Sequence, residues 1–379
     1  MRPESMQFFD RLSERSLLDY DTVKADGKLV VGIYCTFAPL ELVRAAGAIP
    51  VGLCGKKQKP VAEAEKTLPA NLCPLIKSSY GYAITDTCPY FAFSDLLVGE
   101  TTCDGKVKMY ELLGRIKPMY LMKLPRTLGT AEQAYWLNEI HRFTTFLESR
   151  TSIQVDPEEL RRQIVLHNRM RRALKELVYT CADPCHEVLT GYDLMIVQES
   201  KSFAVDLQEY IDAVIRLTRE VSHLPGESDQ ASSRKRILLT GCPVGQGSEK
   251  VINLVEESGA RVVCMENCTG FKSFDLSVDE NDEPFSALAW RYLQTPCSVM
   301  TPNEGRFDSL DRLIRDLNIE GVIDLTWHCC HTYNLESHRV QEHIGKVHSL
   351  SVLHVETDYS ESDIEQLRTR IEAFLEMLP

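Results

Sequence analysis

Several features of membrane and nucleic-acid-binding proteins are missing from this sequence. Its 379 residues contain no run of about 18 apolar residues, the length needed to span a bilayer. The first residues, MRPESMQFFDRLSERSLLDY, carry scattered charges and lack the apolar centre of a secretory leader. Basic residues are also outnumbered, 42 against 55 acidic ones, which gives a net charge of −13 that opposes a phosphate backbone. We therefore predict a cytoplasmic protein with neither a membrane nor a nucleic-acid partner.

Two short motifs are also absent. There is no C-x-x-C pair, the spacing on which structural zinc sites usually depend, and no glycine loop ending in the Lys-Ser/Thr of a P-loop. Cysteine, by contrast, is abundant, with thirteen residues. An odd number cannot be fully paired in disulfides, and disulfides are rare in a reducing compartment. The cysteines therefore favour metal or redox chemistry.

The chain contains an internal duplication. Residues 28–54 predict a βαβ unit: KLVVGIY is a strand, PLELVRAAG a helix and AIPVGLC a second strand, with Cys35 in the first turn. Residues 236–266 repeat this pattern with RILLTG, SEKVINLVEESG and ARVVCME, and Cys242 occupies the same turn. The repeat predicts two similar α/β lobes.

Two further cysteines have equivalent positions in each half. Soon after the second strand, Cys73 stands in C-P-L-I-K and Cys268 in C-T-G-F-K. The third apolar strand then leads into Cys103 in the first half and into the pair Cys329 and Cys330 in the second. We prefer Cys330 to Cys329 because it lies nearer the following helix. In parallel sheets this strand edge is where ligands collect.

The duplication thus yields two triads of candidate ligands. Their members are Cys35, Cys73 and Cys103, and Cys242, Cys268 and Cys330. Cubane iron–sulfur clusters use about four ligands, mostly thiolates, so each triad is one short and would need a non-protein ligand or a bridge between two clusters. Zinc fits six dispersed ligands poorly.

The remaining cysteines have other interpretations. Cys54 and Cys264 are predicted to lie inside strands and to pack in the core, and Cys297 is assigned to the core as well. Cys181 and Cys185, in CADPC, form a weak candidate for a second metal site, because Pro184 interrupts the helix and no matching pair occurs elsewhere.

Four other side chains are weak catalytic candidates. His328 and His331 flank the cysteine pair and could donate protons, although either could be a plain hydrogen-bonding residue. Lys77 and Lys272 follow a cysteine by four residues and could stabilise an anionic cluster or substrate, or could be ordinary surface charges.

The predicted architecture is α/β, with two Rossmann-like lobes of mostly parallel sheets, a helical middle segment and the cluster site in the cleft between the lobes. The predicted divisions are a first lobe with an N-terminal helix, residues 1–155, a helical connecting segment, residues 156–230, and a second lobe, residues 231–379. The loop-like HLPGESDQASSRKR, residues 223–236, is interpreted as a linker.

Nearly the whole chain resembles the 2-hydroxyacyl-CoA dehydratase and benzoyl-CoA reductase family. The resemblance is carried by five segments: CTFAPLELVRAAGAIPVGLC, LPANLCPLIKSSYGYAI, TTCDGKVKMYELL, GCPVGQGSEKVINLVEESGARVVCMENCTGFK and the late cysteine pair. Within the family the sequence is most similar to the single-subunit double-cubane cluster proteins, whereas the dehydratases divide their clusters between two different subunits.

The resemblance implies two linked 4Fe-4S cubanes between the lobes, a homodimer, and a separate iron–sulfur ATPase that delivers electrons singly. The expected function is an oxygen-sensitive iron–sulfur reductase of a small molecule. The alternatives are a subunit of a 2-hydroxyacyl-CoA dehydratase, and a non-enzymatic iron–sulfur redox sensor or electron carrier. The motifs belong to the cluster scaffold and do not identify the substrate.

Overall fold

A computed structural model of the protein describes residues 2–224 and 234–379. The predicted linker, residues 223–236, lies largely outside the described residues, as does the predicted boundary between residues 230 and 231. Among the helices that are described, none is both long enough and apolar enough to cross a bilayer.

The first lobe contains a sheet of four strands that are all parallel, in the order β2-β1-β3-β4. The strands are β1 (Val30–Ile33), β2 (Ile49–Gly52), β3 (Leu96–Glu100) and β4 (Met119–Met122). Every residue of β1 and β3 is buried, as expected for central strands that helices cover on both faces.

The second lobe repeats this arrangement, with four parallel strands in the order β6-β5-β7-β8. The strands are β5 (Arg236–Gly241), β6 (Arg261–Glu266), β7 (Gly321–Trp327) and β8 (Val352–Thr357). Two separate sheets with the same strand order confirm the α/β class and the two Rossmann-like lobes predicted from the duplication.

Helices surround both sheets. Those of the first lobe are α1 (Met6–Ala25), α2 (Leu40–Ala45), α3 (Val61–Ala64), α4 (Pro74–Thr85), α5 (Pro89–Phe93), α6 (Asp104–Leu113) and α7 (Thr130–Thr151). The middle of the chain forms α8 (Pro157–Ala182), α9 (Gly191–Ser200) and α10 (Leu207–His223). Those of the second lobe are α11 (Lys250–Glu257), α12 (Pro284–Leu293), α13 (Glu304–Asp316), α14 (His331–His348) and α15 (Ile364–Glu376).

The long helix α8 joins the two lobes. Asp156 caps its first turn by accepting a hydrogen bond from the backbone N–H of Glu158, and Pro157 occupies a first-turn position that needs no backbone donor. The helix packs against α10, against α2 of the first lobe, and against β6 and α12 of the second. Its apolar face, which includes Leu174 and Leu177, is completely buried. Burial of each such leucine stabilises the fold by about 1.5–3 kcal/mol.

The strand order places a topological switch point in each sheet. In the first sheet the chain crosses from β2 over β1 to β3, so the carboxyl ends of β1 and β3 flank a crevice, and the ends of β5 and β7 do so in the second sheet. Cys242 follows β5 directly, and Cys35, Cys103 and Cys329 lie two or three residues beyond the ends of β1, β3 and β7.

Candidate functional site

The two switch points open into one shared cavity of about 420 Å³. Residues of both lobes and of the helices α8 and α10 line it. Nine of the thirteen cysteines are among the lining residues, namely Cys35, Cys54, Cys73, Cys103, Cys242, Cys268, Cys297, Cys329 and Cys330. All six predicted ligands therefore face a single space between the lobes.

One group of thiols contains Cys73, Cys242 and Cys330. Cys73 and Cys330 are the N-cap residues of α4 and α14, where the positive helix ends favour a thiolate. Hydrogen bonds from Cys242 and Cys73 hold the pKa of Cys330 well below that of an ordinary thiol. The interaction with Cys330, together with burial, raises the pKa of Cys73. Cys330, which we preferred to Cys329 as a ligand, thus accepts hydrogen bonds from the other two thiols of the group. The group contains thiols from both lobes.

A second group contains Cys35, Cys268 and Cys297. A hydrogen bond from Cys297 is the main cause that lowers the pKa of Cys268 to about 5, and Lys272 and Lys106 act in the same direction. Burial raises the pKa of Cys35 to about 12. This group also contains thiols from both lobes. The duplication had instead predicted one triad of cysteines within each lobe.

Cys103 and Cys329 line the same cavity without belonging to either group. Cys103 is the N-cap residue of α6, at the end of β3, as its position in the sequence predicted. Cys329 has a φ of +60°, a left-handed conformation that turns the chain sharply between β7 and α14. Cys103 remains a predicted ligand. Cys330 also remains a predicted ligand, with Cys329 as the alternative to it.

The four weak catalytic candidates occupy different environments. His331 lines the cavity, whereas the side chain of His328 is half exposed and lies 4.0 Å from Asp358. The ammonium group of Lys77 binds Glu65 at 2.6 Å and is not part of the cavity lining. Lys272 is buried 3.1 Å from Glu266, and its charge helps to lower the pKa of Cys268.

Two cysteines assigned to the core by sequence are in the cavity. Cys54 follows β2 and is not inside it, and its thiol donates to the carbonyl oxygen of Tyr34 at 2.9 Å. Cys297 is buried in the loop between α12 and α13, where its thiol contacts Cys268. The core assignment is therefore wrong for Cys54 and incomplete for Cys297, while Cys264 is fully buried within β6 as predicted.

The CADPC pair lies away from this site. Cys181 is buried near the end of α8 and Cys185 is exposed in the short turn that follows, and neither lines the cavity. Within residues 2–224 and 234–379, no three Cys, His, Asp or Glu side chains converge closely enough to hold a single metal ion.

A buried ionic network supports the cavity from the second lobe. Arg306 on α13 is completely inaccessible to solvent and contacts Glu336, Glu266 and Asp324. Lys272 binds Glu266 at 3.1 Å and donates to the hydroxyl of Tyr333 at 3.0 Å. Because Tyr333 lines the cavity, this network fixes the wall next to the thiols.

His167 makes stability depend on pH. Its ring is buried against the cavity, Nδ1 donates to the carbonyl oxygen of Gln163 at 2.8 Å, and burial together with Arg44 and Arg171 lowers the pKa to about 4. The unfolded chain therefore binds a proton at higher pH than the folded protein does. The free energy of unfolding should fall as the pH decreases from about 6.5 to about 4, because only the unfolded state takes up the proton there.

A pH series of urea denaturations on the wild-type and His167→Gln proteins checks this dependence. Gln can keep the hydrogen bond but cannot be protonated, so the stability difference between the two proteins should change across that pH window. A constant difference would contradict the burial of a neutral His167.

The fold and the cavity define a class of protein: a two-lobed, all-parallel α/β protein with a thiol-rich site at facing switch points. Residues 35–378 match the protein family described as 2-hydroxyglutaryl-CoA dehydratase, D-component. The chain belongs to this family, which confirms the resemblance found in the sequence.

Individual relatives align along almost the whole chain. It is 42% identical over 374 residues to the putative dehydratase subunit YjiM of Escherichia coli K12, covering 98% of this chain and 97% of that protein. It is 23% identical to the lactoyl-CoA dehydratase subunit beta of Anaerotignum propionicum, covering 94% of each. It is 21% identical to the (R)-phenyllactyl-CoA dehydratase beta subunit of Clostridium sporogenes, covering 93% and 92%.

Proposed function

We propose that this chain is an iron–sulfur reductase that holds two linked 4Fe-4S cubanes and transfers electrons from a separate ATPase to a small molecule. The observation that carries this proposal is the convergence of nine cysteines from both lobes on one cavity. A single chain thus supplies more than the six thiolates that two bridged cubanes require.

The donor set fits such a centre better than it fits a single ion. A cubane distributes its thiolates over several iron atoms, so they need not converge on one point, and the described side chains contain no three-ligand group for one metal ion. The thiols of Cys268 and Cys330 have lowered pKa values, which prepares them to bind iron as thiolates.

Residues around the thiols would support the bound centre. Lys106 and Lys272 act on Cys268 and would offset part of the negative charge of the thiolates. Trp327, Val299 and Leu72 are apolar parts of the wall and would limit access of water. When bound, the centre would supply single electrons at low potential.

We infer the separate ATPase partner from the sequence and from the family resemblance. The chain has no P-loop, so ATP hydrolysis would belong to another protein. A redox sensor or electron carrier would need the thiols but not the additional space and basic lining of a cavity of about 420 Å³. The enzyme is therefore preferred to the sensor.

A dehydratase subunit is the second candidate function. It is favoured by the relatives named as beta subunits of lactoyl-CoA and phenyllactyl-CoA dehydratases, which align over more than nine-tenths of this chain. In that case the chain would hold one cubane, about four irons, and would need a different subunit for activity.

Iron and acid-labile sulfide analysis of anaerobically purified protein separates these functions. We expect about eight irons per chain, matched by sulfide, and an electron paramagnetic resonance signal after reduction with titanium(III) citrate. About four irons would favour the dehydratase subunit. Stoichiometric zinc without sulfide would exclude both.

A further inference from the structure

One wall of the cavity is rich in arginine and lies on helices, not on the turns that bear the thiols. Arg44 is on α2, Arg171 on α8 and Arg291 on α12, and all three line the cavity beside His167 and Tyr292. Residues from three helices that are distant in sequence thus bring three guanidinium groups to one end of the space.

Two of these arginines have buried donors without a partner in the described part of the chain. The Nη atoms of Arg44 donate to the carbonyl oxygens of Ala204 and Val205 at 2.8 and 2.9 Å, but its buried Nε has no acceptor. Arg171 is 2% exposed and donates through its Nη atoms to Asn168, Glu41 and Tyr292, while its Nε also lacks an acceptor. A buried donor left unpaired is unfavourable, because it has given up its hydrogen bonds to water without replacement.

Positive charge at this wall exceeds negative charge. Among the described residues, Glu41 is the one carboxylate that binds these arginines directly, and it also accepts a hydrogen bond from Tyr292 at 2.6 Å. Arg291 donates to the backbone carbonyls of Ser273 and Leu276. Burial, followed by the charge of Arg171, lowers the pKa of Arg291 to about 10.

The next carboxylates, Asp206 and Asp275, attract Arg44 and Arg291 through charge but make no ion pair with them among the described residues. Asp206 is exposed and caps α10, and Asp275 binds Lys175 and Arg312. Three guanidinium groups therefore share one bound carboxylate in a setting that water reaches poorly, and an anion would stabilise them.

We propose that the wall formed by Arg44 and Arg171 binds the carboxylate of a small organic acid. The uncompensated charge of the guanidinium groups would attract the carboxylate, and the apolar side chains of Met170, Phe203 and Leu207 would cover a short carbon chain. This inference rests on the proposed function in that the acid would be the substrate of the reductase, and it names the substrate class.

Equilibrium dialysis of anaerobically purified, iron-loaded protein tests the site with labelled butyrate. Butyrate should bind to the wild-type protein and bind at least about tenfold more weakly to Arg44→Met, since a charged hydrogen bond contributes about 1.5–3 kcal/mol. Arg44→Lys should retain part of the affinity. The matched control is Arg172→Met, because Arg172 is the neighbour of Arg171 on α8 but its side chain is 55% exposed and pairs with Glu280. That variant should bind butyrate within about twofold of wild type.

A paired variant covers the case in which Arg44→Met disturbs the loop at Ala204 and Val205. Glu41→Gln combined with Arg171→Met removes both members of the buried ion pair and leaves no unpaired charge, so it should fold and still lose butyrate binding. Equal binding in this variant and in wild type would overturn the proposal.

Competition experiments identify the chemistry that is recognised. Neutral butyramide should compete at least about tenfold less well than unlabelled butyrate. Equal competition by butyramide would overturn the carboxylate site. Binding of coenzyme A without any binding of butyrate would also overturn it, in favour of a phosphate-bearing ligand.

Iron analysis of the same samples distinguishes a failure of the carboxylate site from a failure of the proposed function. Carboxylate binding in protein that lacks sulfide under strictly anaerobic preparation would reject the iron–sulfur reductase and retain the site. Full iron content without butyrate binding would reject the site and retain the iron–sulfur centre.

Discussion

Replacing Cys330 with serine should remove about half or more of the iron from anaerobically purified protein. Cys330 accepts hydrogen bonds from the thiols of Cys242 and Cys73, and these bonds lower its pKa. Serine has nearly the same shape, so the fold should persist, but its hydroxyl is a harder and much more basic ligand. Iron, sulfide and the paramagnetic resonance of the reduced protein measure the effect.

Two cysteines serve as controls for this substitution. Cys185 is exposed outside the cavity, and Cys264 is buried within β6. Cys185→Ser should leave iron and stability unchanged, whereas Cys264→Ser should keep the iron and lower the free energy of unfolding by about 1–3 kcal/mol. Full iron content and an unaltered spectrum in Cys330→Ser would contradict the assignment and direct attention to Cys329.

The second large effect is expected at Arg306. Replacing it with methionine should lower the free energy of unfolding by about 3–5 kcal/mol, because Glu266, Asp324 and Glu336 would lose the cation that they share in the interior. Methionine keeps much of the apolar stem, so lost volume is a minor part of the expected change. Urea denaturation of the two proteins gives the difference.

Arg339→Met provides the comparison for a surface ion pair. Arg339 binds Glu304 at 3.0 Å with half of its side chain exposed, and such pairs contribute about 0–1 kcal/mol. An Arg306→Met protein no less stable than Arg339→Met would show that the buried carboxylates are neutral or that water replaces the guanidinium group.

The duplicated fold was predictable because its signals are local. Apolar strands such as LLVGE and GVIDLTW, followed by a turn and a helix, determine each βαβ unit within a few dozen residues, and both sheets have the resulting strand order. The same locality placed Cys35, Cys103, Cys242 and Cys330 near strand ends.

The partners of the thiols were not predictable in the same way. Cys297 lies in a loop with no equivalent in the first lobe, so the repeat did not indicate its contact with Cys268 of the same lobe. The docking of the two lobes brings Cys73 to Cys330. The duplication indicated one triad in each lobe because it describes each half separately. The excess of arginine at the helical wall depends likewise on the packing of α2, α8 and α12, which are distant in sequence.

The group of Cys73, Cys242 and Cys330 contains thiols from both lobes, and this determines when during biosynthesis the group can form. Cys73 is synthesised well before Cys242 and Cys330, because it lies far ahead of both along the chain. The amino-terminal lobe alone cannot present the group formed by Cys73, Cys242 and Cys330, however completely it has folded. A centre that uses this group would therefore form only after Cys330 has been synthesised and the two halves of the chain have met. A truncated chain that ends before β7 lacks the thiol that accepts the hydrogen bonds of the group.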